Sequence, residues 1–143
     1  MDKDVLFLEN KIDPRDFIRL KQSIGWVAPS SEMLEKAFEH NLFSVVAFSG
    51  GNPVGMGRLV GDGVVIWYIQ DVVVEPKYQG TGIGKAIVER MLEHIRKSVA
   101  PGSSTMVGLM AARGRESFYE ELGFHIRPDE GHGHGMYMQL NID

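Results

Sequence analysis

Three glycines at alternate positions, Gly80, Gly82 and Gly84, separate a run of β-branched residues from an amphipathic stretch. No other feature of the 143-residue chain restricts its architecture as tightly. The β-rich run, Val64 to Val74, is stopped by Glu75-Pro76. Beyond the glycines, Ile83, Ile87, Met91, Leu92 and Ile95 recur at helical spacing, while Lys85, Glu89, Arg90, Glu93 and Arg96 fall mostly on other faces. A strand, a glycine turn and a helix opening near Gly82 are therefore expected. Residues without side chains let several N–H groups face one anion, aided by the positive end of the helix dipole. This is a phosphate-binding device on physical grounds. A dinucleotide fingerprint fails, because the sixth position from Gly80 is Lys85 rather than glycine. A P-loop fails too, since positions 79 and 86 hold Gln79 and Ala86. A plain turn is the remaining alternative, although it needs only one or two glycines.

The rest of the chain supplies a sheet and flanking helices. Val5 to Leu8 forms a short strand. Asp13-Pro14 opens a helix with Phe17, Ile18, Leu20 and Ile24 as its apolar stripe, and Gly25 ends it. Ser30 or Ser31 caps a second helix carrying Met33, Leu34, Ala37 and Phe38. Phe43 to Phe48 and Val54 to Leu59 pair across Ser49-Gly50-Gly51-Asn52. Thr105 to Ala112 is a strand and Glu116 to Leu122 a short helix. Phe124 to Arg127 and Met136 to Leu140 are final strands. The order β-α-α-β-β-β-α-β-α-β-β predicts a mixed α/β (α+β) fold. Its sheet is mostly antiparallel, and the strand–helix–strand unit adds one parallel pair. Length favours one domain over residues 1–143.

Composition excludes several classes. A net charge of -4 argues against nucleic acid or anionic membrane as a general partner. The absence of cysteine removes disulfides, thiolate metal sites and acyl transfer through a Cys thioester. The first residues lack a basic signal region, and no apolar run approaches membrane-spanning length, so a cytoplasmic location is the expectation.

Two segments carry a family resemblance. Val72-Val73-Val74-Glu75-Pro76-Lys77-Tyr78-Gln79-Gly80-Thr81-Gly82-Ile83-Gly84 resembles the central acetyl-CoA motif of the GNAT N-acetyltransferase superfamily. Ser117-Phe118-Tyr119-Glu120-Glu121-Leu122-Gly123-Phe124 is similar to that family's Phe-Tyr-x-x-x-Gly-Phe segment. The pair stands in the family's order, and the resemblance runs from Leu42 to Phe124. It implies that acetyl-CoA is the cosubstrate and an amine the acceptor; a homodimer is compatible with it. The strand ending at Val74 then splays from its neighbour, and the backbone of Val72, Val73 and Val74 pairs with the pantetheine arm. Gln79, Gly80, Thr81, Gly82, Ile83, Gly84 and Lys85 take the pyrophosphate, with Phe118 and Tyr119 also against the cofactor. Lys85 is equally readable as a solvated helix lysine. The Trp67–Gln79 stretch also looks like that of small bacterial and plant arylalkylamine-type members.

Direct transfer requires a neutral amine, and a lysine-like amine of pKa ~10.4 costs about 4.6 kcal/mol to deprotonate at pH 7. The leaving thiolate, with a conjugate acid of pKa ~8.5, needs a proton. Tyr119 matches the tyrosine that supplies it in the family; its bland role is packing beside Phe118. Strand alternation puts Tyr68, Gln70 and Val72 on one face and Trp67, Ile69 and Asp71 on the other. Tyr68 and Gln70 occupy positions where relatives carry a Glu or His base, and they become substrate candidates here. Asp71 is the nearest carboxylate, a candidate base if a bulge re-aims it and otherwise structural. Trp26 lies where the family's first helices shape the acceptor entrance. Ala112, followed by Arg113, replaces an asparagine common in relatives, which favours a rival assignment as an acyl-CoA-binding sensor without catalysis. His132 and His134 make a poor metal pair, so no metal is expected, and their loop leads into the last strand. The eight methionines, including Met106, Met110, Met136 and Met138, are expected to fill the core.

Overall fold

The computed structural model describes residues 4–143. They divide into two compact units, Met1–Leu109 and Met110–Asp143.

The first unit holds a five-stranded sheet in the order β1-β2-β3-β4-β5, comprising Val5–Glu9, Phe43–Ser49, Asn52–Gly61, Ile66–Val74 and Met106–Gly108. The first four strands are antiparallel in sequence, and β4 and β5 run parallel. Helices α1 (Pro14–Ser23) and α2 (Ser31–Phe38) precede β2, and α3 (Ile83–Ser98) crosses from β4 to β5. The expected mixed architecture, with its parallel pair, is present. Local chemistry explains the helix starts. Asp13 caps α1 by accepting from the Asp16 N–H at 2.8 Å, with Pro14 in the first turn, and Ser30 caps α2 by accepting from Met33. Both caps fall where the sequence puts them.

Each face of the sheet has its own core. Phe17, Leu20 and Leu34 of the first two helices pack with Val46, Met56 and Val73. On the other face α3 buries Ile83, Ile87, Val88, Met91 and Ile95, each worth about 1.5–3 kcal/mol of transfer free energy. That helix sits close because β3 presents Gly55 and Gly57: a Cβ on Gly57 would lie 2.9 Å from both Ile87 and Met91. Phe43 and Trp67 join this face by stacking flat and edge-on, respectively, against the His94 ring.

Two strands are shorter than the sequence reading. The strand expected from Val64 begins at Ile66, because the Asp62 carboxylate accepts from the N–H groups of Val64, Val65 and Ile66 and folds the approach into a turn. The strand expected over Thr105 to Ala112 shortens to Met106–Gly108.

The second unit contains one short helix, α4 (Glu116–Glu121), in which Phe118, Tyr119 and Phe124 form edge-to-face ring pairs. The final strands expected at Phe124 to Arg127 and Met136 to Leu140 are absent. Alternation supplies one apolar face, but a strand also needs a ladder partner, and these residues have none. The methionine expectation holds for Met56 and Met91, which are buried, and fails for the methionines of these segments. Met136 and Met138 are 86% and 81% exposed, and Met106 and Met110 are exposed as well. Among the described residues no helix is long and apolar enough to cross a membrane.

Candidate functional site

The glycine turn follows directly from the end of β4. Pro76–Tyr78 make a single 3-10 turn, and Gln79 then returns its side-chain amide to the Val74 carbonyl at 3.0 Å. Thr81 donates its hydroxyl to the Tyr78 carbonyl. The loop is thus held from within by two of the residues the sequence assigns to it. Gly80 and Gly82 have φ of 78° and 93°, a left-handed geometry that a side chain would strain. A Cβ built on Gly80 meets nothing within 4 Å, so its surroundings are open.

Gly82 is the N-cap of α3 and offers no side-chain acceptor. The first rung of the helix runs from the Ala86 N–H to the Gly82 carbonyl at 3.0 Å. The amides of Ile83, Gly84 and Lys85 therefore precede the ladder and concentrate the positive end of the dipole. Gly84 lies inside the first helical turn, and the Ile83 side chain is fully buried. Lys85 pairs loosely with Glu89 at 3.9 Å on the exposed side of α3. An open backbone, uncapped amides and no carboxylate in the first turn of α3 fit a diphosphate.

β4 and β5 pair only through Ile66↔Met106, Trp67↔Val107 and Tyr68↔Gly108. From Ile69 to Val74, β4 continues without a β5 partner, which gives the splay expected from the sequence. Within that stretch lies a bulge. Met56 pairs with Val73 and Arg58 with Gln70, so Gly57 alone stands opposite Asp71 and Val72. Asp71 sits at φ 58°.

The bulge inverts the face pattern. Before it, Trp67 and Ile69 are buried on the α3 side; after it, Val73 enters the α1–α2 core. Simple alternation would aim Asp71 at α3. Instead its carboxylate turns to the opposite face, with Oδ1 3.0 Å from Lys21 Nζ and Oδ2 2.9 Å from Arg58 Nε. Only 6% of the Asp71 side chain is exposed. Arg58 also donates to Asn41 Oδ1 and lies over the Phe38 ring, while the Lys21 ammonium sits 4.8 Å from the centre of the Trp26 ring. Gln70, directly opposite Arg58, shares this face. Tyr68 shares it by alternation, so Trp26, Tyr68, Gln70 and Asp71 are all on the α1–α2 side of the sheet.

Sequence reasoning missed Lys21, Arg58 and Asn41. A signal was present: Lys21 lies four residues after Phe17, on the apolar side of α1, and Arg58 interrupts a strand otherwise free of charge. Charges at such positions require a buried partner.

In the second unit Tyr119 is half-buried, and burial raises its phenol above the ordinary tyrosine range, with the Arg115 charge opposing weakly. A phenol is protonated at neutral pH with or without this shift, so Tyr119 carries a proton it can donate. Ala112 and Arg113 precede α4. His132 closes a loop with Asp129, Nδ1 to Oδ1 at 2.7 Å, and that hydrogen bond is the main cause holding the Asp129 carboxyl below its usual range.

Comparison with known proteins adds independent support. The profile of the acetyltransferase (GNAT) domain matches residues 22–139. Serotonin N-acetyltransferase 2 of Oryza sativa subsp. japonica is 36% identical over 118 residues, covering 80% of this chain and 57% of the rice protein. GCN5-related N-acetyltransferase 1 of Arabidopsis thaliana is 33% identical over 110 residues, covering 75% of this chain and 53% of its own. The chain thus spans little more than half of these chloroplastic relatives. A probable acetyltransferase from meticillin-resistant Staphylococcus aureus superposes with a TM-score of 0.83 at 29% identity, covering 95% of this chain and 99% of that one.

Proposed function

The chain belongs to the GNAT acetyltransferase family, and from that premise we propose that it moves an acetyl group from acetyl-CoA to a primary amine by direct attack within a ternary complex. The observation that carries this reading is the uncapped start of α3. Ile83, Gly84 and Lys85 amides lie ahead of the first rung, behind two left-handed glycines, and the loop is tied to a strand edge that β5 leaves at Tyr68.

In this reading the loop from Gln79 to Lys85 receives the diphosphate of coenzyme A, and the free edge of β4 from Val72 to Val74 receives the pantetheine arm. Gln79 already occupies the Val74 carbonyl, so its own part is to shape the loop. Bound acetyl-CoA supplies an activated thioester carbonyl. The chain's residues hold that group, exclude water around it and deliver a proton. Tyr119 is the proton donor to the departing sulfur, a role open to a phenol that is protonated at neutral pH. Phe118 packs beside it. Trp26, Tyr68 and Gln70 line the acceptor side, an aromatic surface suited to an arylalkylamine. The rice relative's name points to the same class. Asp71 enters through position, because both its oxygens already face cations.

The test is to follow free thiol while the protein, acetyl-CoA and a panel of amines are incubated together, beginning with arylalkylamines. Acetyl-dependent thiol release that requires an amine supports the reading. Tight CoA binding with no turnover across the panel would instead identify an acyl-CoA-binding sensor.

A further inference from the structure

We propose that Asp71 is a positioning residue whose ion pairs with Lys21 and Arg58 hold the β4 bulge in the conformation that presents the Val72–Val74 edge. This rests on the proposed function above, since it assigns a cause to the geometry of the cofactor edge.

The argument starts from the backbone. A non-glycine residue at φ 58° is strained, and in the middle of a strand nothing local compensates. Aspartate tolerates this region better than most residues, yet here its side chain makes no local turn. It reaches across the structure to α1, 50 positions away in sequence, and to β3. Each carboxylate oxygen meets one cation, and all three side chains are largely withdrawn from solvent, at 6%, 13% and 15% exposure. Turning Asp71 back to the face that alternation dictates would strand two cations without their anion, which is costly at such burial. The ion pairs therefore fix the left-handed residue, and the left-handed residue fixes the bulge.

The consequence lies on both sides of Asp71. Toward the loop, the bulge adds one residue to β4 beyond Tyr68, where pairing with β5 has ceased, and so sets which backbone groups of Val72 to Val74 lie on the free edge. Toward the helices, Lys21 carries the Trp26 ring over its ammonium, and Arg58 ties in Asn41 and Phe38. One carboxylate thereby joins the aromatic surface assigned to the acceptor with the strand edge assigned to the cofactor.

A general base and a clamp predict different things. The test is calorimetric titration of CoA into wild type, Asp71→Ala, Asp71→Gly and Asp71→Asn, with the melting temperature of each and the pH profile of kcat/KM. Alanine loses the ion pairs and pays for the left-handed region, so its CoA affinity should fall about tenfold. Glycine loses the same ion pairs but adopts φ 58° freely, so it should recover to within about threefold of wild type. Both should melt lower, because both leave Lys21 and Arg58 unpaired, alanine by more because it also carries the left-handed strain, yet only alanine should lose CoA affinity. That split between affinity and stability is what a merely structural aspartate would not produce. Asn, isosteric and tolerant of the left-handed region, should bind CoA within about threefold of wild type and keep the acid limb of the pH profile. It also keeps the test readable if the alanine variant does not fold. The proposal is overturned if alanine and glycine bind CoA equally. It is equally overturned if Asn binds normally but loses turnover together with the acid limb, the signature of a base. Wild type giving no heat with CoA would instead bring down the proposed function, and this inference with it.

Discussion

The two units differ in how their apolar residues are used. In the first, two separate cores clamp a five-stranded sheet, and buried side chains run from Phe17 to Ile95. In the second, a six-residue helix gathers three aromatic rings, while Met136, Tyr137, Met138, Leu140 and Ile142 stay exposed. The contrast separates two requirements of the proposed reaction. Binding a diphosphate needs fixed amides, and these sit on the well-packed unit. Protonating a leaving group needs one protonated phenol, and Tyr119 in the small aromatic cluster of the second unit is one.

Substitutions that strike one unit at a time break or sharpen this comparison. The largest effect is expected at Gly61, where φ is 139° and a Cβ would lie 2.3 Å from the Ile66 carbonyl oxygen. Gly61→Ala should cost about 3 kcal/mol in chemical denaturation, because backbone must move on both β3 and β4. An unchanged midpoint would deny that the sheet needs this close approach. Next comes Tyr119→Phe, which should lower kcat about 100-fold while leaving CoA affinity unchanged, since it removes a proton and no packing. Equal turnover would remove the acid role from the second unit.

A smaller effect is expected at Asp62, whose carboxyl is held below its usual range chiefly by the Val64 N–H, with Ile66 and Val65 assisting. A depressed folded-state pKa contributes stability above the ordinary value of 3.8 and loses it as pH falls through the lower folded value. Wild type should therefore exceed Asp62→Ala in stability at pH 6, and the gap should close in strong acid. A gap independent of pH would refute the turn's electrostatic origin. Smallest of all, Met138→Ser should shift stability by less than about 0.5 kcal/mol, as an exposed side chain away from any core. A loss of several times that size would show that the second unit buries this residue after all.

Legibility in the sequence follows the range of the interactions. Asp13, Ser30 and the glycines at 80 and 82 act within a few residues of themselves, and each stands where the sequence puts it. The α3 stripe is periodic and was equally plain. The sequence makes Asp71 a candidate base if a bulge re-aims it and otherwise structural; the bulge is there, but it turns the carboxylate onto two cations from positions 21 and 58, a pairing that no local pattern encodes. The tail failed for the converse reason. Met136, Met138 and Leu140 have the period of a strand, but period selects a face and says nothing about a partner. Alternation misled on β4 as well, because one inserted residue reverses every face beyond it.

The central claim is that main-chain donors from Gly80 to Lys85 grip the diphosphate of coenzyme A. Titrating the folded protein with CoA and, separately, with pantetheine, which lacks the diphosphate and the 3'-phosphoadenosine, tests it most directly, with adenosine 3',5'-bisphosphate as the control for the nucleotide alone. The account predicts one CoA per chain and binding of pantetheine weaker by at least about 100-fold, the worth of two charge-assisted hydrogen bonds. Equal affinity for CoA and pantetheine, or no heat with CoA, would contradict it.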